Sequence, residues 1–189
     1  MKSAVVWAIL GAALLIPLVL AAGSPLLQYR QPIYIAAGLA GVAAMGLLLL
    51  QPLLALGALP GLPPRQSRRL HRATGLALVM LILAHVAGLW VTSPPDVIDA
   101  LTFASPTPFS NWGVIAMWAA FAAAALAAQR RRLRPKIWRR AHLALAATVA
   151  AGTAAHALLI DGTMETASKL ALAALVLVAT ALTVLAKAR

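Results

Sequence analysis

Six stretches of this chain, residues 3–29, 31–64, 73–95, 100–129, 141–160 and 170–186, contain no Lys, Arg, Asp or Glu. Each holds most or all of the ~20 apolar residues that a helix needs to cross a bilayer. Between them the charges cluster in short segments, a pattern of apolar slabs and polar joints rather than of amphipathic faces. The pattern predicts six spanning helices, over residues 3–22, 32–50, 71–91, 112–128, 141–160 and 167–186. The expected fold class is an all-α integral membrane protein, one bundle of six transmembrane helices filling residues 1–189 with no soluble domain.

Composition agrees with that reading. Hydrophobic residues make up 62% and charged residues 11%, whereas a soluble domain spends about 25% on charge. The net charge of +12 raises the question of nucleic acid, and the placement of the charges answers it. Six crossings put both ends on one side. There lie Lys2, Arg65, Arg68, Arg69, Arg72, Arg130, Arg131, Arg132, Arg134, Lys136, Arg139, Arg140, Lys187 and Arg189, against only Arg30 and Lys169 opposite. All four acids, Asp96, Asp99, Asp161 and Glu165, fall on that second side. The positive-inside rule reads such asymmetry as orientation, both termini cytoplasmic, so the partner of this basic charge is the lipid bilayer and not nucleic acid. The expected location is a bacterial inner (plasma) membrane.

Two segments admit more than one reading. The first run, with one lysine, an apolar core and Ala21, Ala22 and Gly23 behind it, also resembles a cleavable signal peptide. Its ~17-residue apolar stretch is long for that, and a sixth helix balances the charges, so a helix is expected. Residues 92–111 carry Pro94, Pro95, Pro106 and Pro108 among Ser and Thr. Prolines at that density exclude a continuous helix, and a short cap over the outer face is expected. No internal repeat stands out.

The chemistry rests on four histidines. His71 and His85 lie 14 residues apart on the third predicted helix, and His142 and His156 lie 14 apart on the fifth. Fourteen residues are nearly four full turns, so each pair shares one helix face, its members ~21 Å apart along the axis. Both helices run in the same direction, which sets His71 level with His142 and His85 level with His156. Two imidazoles facing each other at one depth can supply both axial ligands of a haem, and two levels make two stacked haems. A single histidine in an apolar helix is commonly a hydrogen-bonded packing residue, and proton relays or other metal sites remain open. Four in register, where an ionisable group is costly, point to a function. With no cysteine there is no thiolate cluster and no covalent c-type haem.

Neighbouring residues fit a flat cofactor. Gly75, Gly88, Ala146 and Gly152 lie near the histidines in sequence and would leave room for a porphyrin, although small residues also line any membrane helix interface. Arg68, Arg72 and Arg139 would meet the carboxylates of the inner haem, while Arg30 and Lys169 are the only cations on the outer side. Trp90, Trp112 and Trp138 fit the interfacial aromatic belt, and the five methionines read as packing.

The stretches Arg68-Arg69-Leu70-His71-Arg72-Ala73-Thr74-Gly75 running to His85, and Trp138-Arg139-Arg140-Ala141-His142 running to His156, resemble the ferric reductase-like transmembrane domain. That family includes ferric reductases, the NADPH oxidase membrane domain and the haem subunit of periplasmic methionine sulfoxide reductase. The resemblance implies two b-type haems ligated by His71, His85, His142 and His156, carrying electrons across the membrane. Relatives that oxidise NAD(P)H continue into a soluble flavin and nicotinamide domain, whereas these residues carry neither a G-x-G-x-x-G turn nor a phosphate loop. A separate donor is therefore implied, a flavoprotein reductase or a quinol, with flavin or quinone on the cytoplasmic side. The acceptor at the outer face would be ferric iron, oxygen or a periplasmic redox partner. The methionine sulfoxide reductase subunit is a second candidate, although that group lacks the counterpart of His71. A cofactor-free transporter or assembly protein with a histidine proton relay is the rival of a different class. Small dihaem cytochromes that oxidise superoxide resemble four-helix bundles, which the six runs disfavour.

Overall fold

Proline opens most of the helices of this protein. A computed structural model describes residues 2–188, in which the helices are α1 (Lys2–Ala22), α2 (Pro32–Leu56), α3 (Pro64–Thr92), α4 (Pro94–Leu101), α5 (Pro108–Ala128), α6 (Pro135–Leu159) and α7 (Thr166–Ala188). Short 3-10 turns occupy Pro25–Leu27 and Arg130–Arg132. Arg189 and the side chain of Lys2, counted above with the basic side, lie outside the described residues. Helices α2 to α6 each carry proline in the first turn, where the missing N–H is one that no helix uses and the fixed φ is already helical. Gly57, at φ 66°, closes α2 in the left-handed conformation that glycine adopts without strain.

Six of these helices are long and apolar enough to cross a membrane. The protein is an integral multi-pass membrane protein built as a six-span helical bundle. Several helices extend beyond their apolar slab. α3 begins at Pro64 rather than near His71, so Arg65, Arg68, Arg69 and Arg72 form its first turns instead of a loop. α2 continues through Pro52 to Leu56, α5 begins at Pro108, and α6 begins at Pro135 and includes Lys136, Arg139 and Arg140. The segment 92–111 contains a helix, α4, whose Pro94 and Pro95 start it rather than break it. Hereafter the face with the α2–α3 and α5–α6 connections is the basic face, and the opposite one is the α4 face.

Two antiparallel hairpins, α2 with α3 and α5 with α6, make the most extensive contacts, and α7 lies against α6 and α2 with α1 on its flank. Lipid solvates apolar side chains as well as a protein interior does, so helices associate through close backbone approach and packing. Two glycines set that approach. A Cβ on Gly88 of α3 would stand 2.7 Å from the Ala37 Cβ of α2, and one on Gly152 of α6 would stand 3.1 Å from both the Ala116 Cβ and the Trp112 carbonyl of α5. The core runs along α2, α6 and α7 through Met45, Leu48, Leu49, Ala150, Ala154, Leu172 and Val176. Large apolar side chains such as Ile9, Val19, Leu76, Met80, Trp118 and Leu185 remain exposed, as a lipid-facing surface requires.

Gly88→Ala is expected to lower stability by about 1–3 kcal/mol, because neither helix can yield at so short a contact. Gly11, whose Cβ would meet nothing within 4 Å, serves as the control. Thermal unfolding in detergent, followed by circular dichroism, checks this; equal stability of the two variants would refute the contact.

Candidate functional site

The hairpins bring the four histidines together in two pairs. The rings of His71 (α3) and His142 (α6) have centroids 6.4 Å apart with planes at 70°, and those of His85 (α3) and His156 (α6) are 6.5 Å apart at 79°. His71 thus stands opposite His142, and His85 opposite His156.

Each imidazole except one is oriented by the helix behind it. The Nδ1 of His85 lies 2.8 Å from the Ala37 carbonyl, that of His71 lies 3.1 Å from the Gln51 carbonyl, and that of His156 lies 2.9 Å from the Phe109 carbonyl. A carbonyl only accepts, so the neutral ring carries its proton on Nδ1 and donates there. The Nε2 lone pair is then free as a ligand. On α2 the two accepting carbonyls are 14 residues apart, the same spacing as the histidines they hold. The antiparallel partner of a helix repeats its register.

Glycine makes room for two of these bonds. A Cβ on Gly41 would lie 3.0 Å from the His85 Nδ1, and one on Gly113 would lie 2.7 Å from the His156 Nδ1. Gly41 sits four residues after Ala37, and Gly113 four after Phe109. In each case the carbonyl that bonds its own helix at i+4 keeps a second lone pair for the imidazole. The two hairpins therefore share one construction, a structural repeat that the sequence does not display. Gly41 and Gly113 precede their histidines by 44 and 43 residues, the one signal that comparison of the two halves could have used.

His142 departs from the pattern. Its Nδ1 is buried without a hydrogen-bond partner, as is the Nε1 of Trp138. Trp138 stacks on it, centroids 5.2 Å apart and planes 12° from parallel, and the Arg130 guanidinium lies over the Trp138 ring, 5.0 Å from its centroid. Trp138 is thus a wall of the site and not only an interfacial anchor.

The other residues singled out from sequence fall elsewhere. Gly88 and Gly152 face α2 and α5 in the close helix contacts, which account for their size, and Gly75 faces the Gln51 side chain at ordinary contact distance. Arg68, Arg72 and Arg139 are exposed on the first turns of α3 and α6, near the His71–His142 level. Lys169 and Tyr34 join His85 and His156 in lining a cavity of about 480 Å³ that Asp96, Val97 and Ala100 of α4 also line, a size typical of cofactor pockets. Glu165 beyond α6 accepts from the Ser168 and Ala167 N–H groups at 2.9 and 2.7 Å, which caps α7 and holds its carboxyl below the usual range.

What this arrangement can hold follows from its donors. Among the described residues no group of three or more His, Cys, Asp or Glu could bind a bare metal ion. A porphyrin supplies four nitrogens itself and needs two axial ones. Metal–nitrogen bonds of about 2 Å on either side, plus the ring radii, put imidazole centroids about 6.3 Å apart, which the separations of 6.4 and 6.5 Å match. The residues present fit haem.

A six-span bundle with two facing imidazole pairs defines a class of membrane redox protein, and sequence comparison identifies the family. The family model described as ferric reductase like transmembrane component matches residues 38–153. The chain belongs to that family, whose domains usually bind haem and serve electron transfer in membranes. The match includes His71, His85 and His142 and ends three residues before His156. No curated protein and no solved structure matches the chain.

Gly113→Val is expected to push the His156 ring off the Phe109 carbonyl and to weaken haem retention at that level by about 10–100-fold. Pyridine haemochrome assay against Gly11→Val checks it; unchanged haem content would show that the ring needs no such support.

Proposed function

We propose that the protein is a dihaem b-type membrane cytochrome that carries electrons from one face of a bacterial inner membrane to the other. One haem lies between His71 and His142, the other between His85 and His156. The observation that carries this reading is the pair of imidazole separations, 6.4 and 6.5 Å, on rings of which three, His71, His85 and His156, hold Nδ1 against a main-chain carbonyl and so leave Nε2 free.

Haem at each level would supply a one-electron ferric/ferrous couple. The chain contributes the axial nitrogens, the apolar surroundings that exclude water, and a separation of ~21 Å between levels along the helices. The two sites together span most of the ~30 Å hydrocarbon slab. By the charge rule the basic face is cytoplasmic. The donor there is a flavoprotein reductase or quinol, and the acceptor at the α4 face is ferric iron, oxygen or a periplasmic redox partner, as in ferric reductases or a methionine sulfoxide reductase system. A histidine proton relay is less well supported, since a relay needs rings free to exchange both protons, and three of the four Nδ1 atoms are tied to carbonyls.

His85→Ala and His156→Ala are expected to remove the same haem and leave the other, while His71→Ala and His142→Ala remove its counterpart. Haem stoichiometry and redox titration of the four variants check this, and loss of different haems from His85→Ala and His156→Ala would break the pairing.

The basic rim sits nearer one haem than the other, so two separable midpoint potentials are expected. Removing a cation favours the ferric state. Arg72 is exposed and screened, so Arg72→Gln is expected to lower the potential of the His71–His142 haem by less than about 60 mV, one tenfold step for a one-electron couple, and to leave the other unmoved. An equal shift of both, measured by potentiometric titration, would contradict separate environments.

A further inference from the structure

Among the described residues Lys169 is the one lysine or arginine lining the cavity that His85 and His156 share. It lies on the first turn of α7 and is only 6% exposed. Its Nζ donates to the Ile160 carbonyl at 2.9 Å. Ile160 follows His156 by one helical turn, and its own N–H donates to the His156 carbonyl at 3.2 Å. The ammonium is thereby anchored about one turn, roughly 5.4 Å of rise, beyond the histidine toward the α4 face.

A carbonyl satisfies one N–H of an ammonium but neutralises none of its charge. Two further N–H donors remain in a largely apolar cavity, and a buried charge without a counter-charge is costly. Of the chain's four acids only Asp96 lines this cavity, and its carboxylate accepts from the Ser93 hydroxyl at 2.5 Å. Glu165 is committed to the α7 amides. The charge of Lys169 thus calls for an anion that comes from outside the chain.

We propose that Lys169 binds a porphyrin propionate of the haem held by His85 and His156. The inference rests on the dihaem reading. A haem held by His85 and His156 would find in Lys169, which lines the same cavity one helical turn beyond His156, a cation for its carboxylates, which are expensive to leave in an apolar medium. Lysine serves this as a flexible point charge, and it is the positive charge that the carboxylate requires. A free carboxylate acceptor would satisfy the same chemistry, and the experiment separates the two sources.

The test is potentiometric titration and resonance Raman spectroscopy of the purified holoprotein with Lys169→Gln and Lys169→Arg, the relevant haem being the one absent from His85→Ala. The expected result is a lowered potential and a shifted propionate mode for that haem in Lys169→Gln, an unmoved second haem, and recovery in Lys169→Arg. Two haems with native potentials and propionate modes in Lys169→Gln would overturn the proposal while leaving the dihaem reading intact. The same haem properties together with lost binding of added citrate would overturn it in favour of a free carboxylate. A native preparation without haem would overturn the dihaem reading and this inference with it. Should Lys169→Gln not fold, native protein assembled with haem dimethyl ester is decisive. Masked carboxylates are expected to cut retention at the His85–His156 site at least about tenfold, and equal retention of ester and haem there would refute the role of Lys169.

Discussion

Within a hairpin of this protein, the Nδ1–H of a histidine on one helix is held by a main-chain carbonyl of the next. Helical carbonyls are already bonded at i+4, and a membrane offers no water to orient a side chain from outside. The second lone pair of a carbonyl is therefore one of the few fixed acceptors within reach. Using it demands that the two helices approach closely and, at His85 and His156, that nothing project from the residue one turn along. Gly41 and Gly113 meet the second condition for His85 and His156, and Gly88 and Gly152 meet the first for the hairpins as a whole. Tautomer, ring position and free Nε2 follow from that one bond.

The two hairpins then determine the site between them. α2 orients the rings of α3, α5 orients the upper ring of α6, and the ring-bearing helices meet through their histidines rather than along their backbones. His142 is the exception. Its ring is set by stacking on Trp138, and its Nδ1 lacks the carbonyl that the other three have. The two levels thus differ in their supports as well as in their surroundings, with exposed arginines near one and a buried lysine near the other.

The spans and the histidine pairs were legible in the sequence because both depend on patterns that water and lipid enforce. Charge-free runs mark the hydrocarbon slab, and imidazoles there are rare enough for a repeated 14-residue spacing to stand out. Helix ends were less legible. Hydropathy marks where the slab stops, whereas Pro64 and Pro135 mark where the helices start, and the arginines between belong to both. The carbonyls of Ala37, Gln51 and Phe109 could not be read, since a main-chain acceptor has no residue type. Gly41 and Gly113 are two among twelve glycines, and sequence proximity to histidine favoured Gly75, Gly88 and Gly152, which face neighbouring helices instead. Counting crossings sets Lys169 on the side of the four acids, but its position in the cavity depends on how the α6–α7 connection folds back.

The imidazole planes are strongly crossed, 70° at one level and 79° at the other, and the proposed function sets one haem iron between the two rings of each level. Crossed imidazole planes leave the two iron orbitals that accept ligand π-density nearly degenerate, which gives a low-spin ferric signal of large anisotropy. Electron paramagnetic resonance of the oxidised, purified protein, with haem quantified per chain, tests this most directly. The account predicts two haems per chain, both low-spin and both of the strongly anisotropic type. One haem per chain, a high-spin ferric signal, or the rhombic signal of parallel imidazoles at both levels would contradict it.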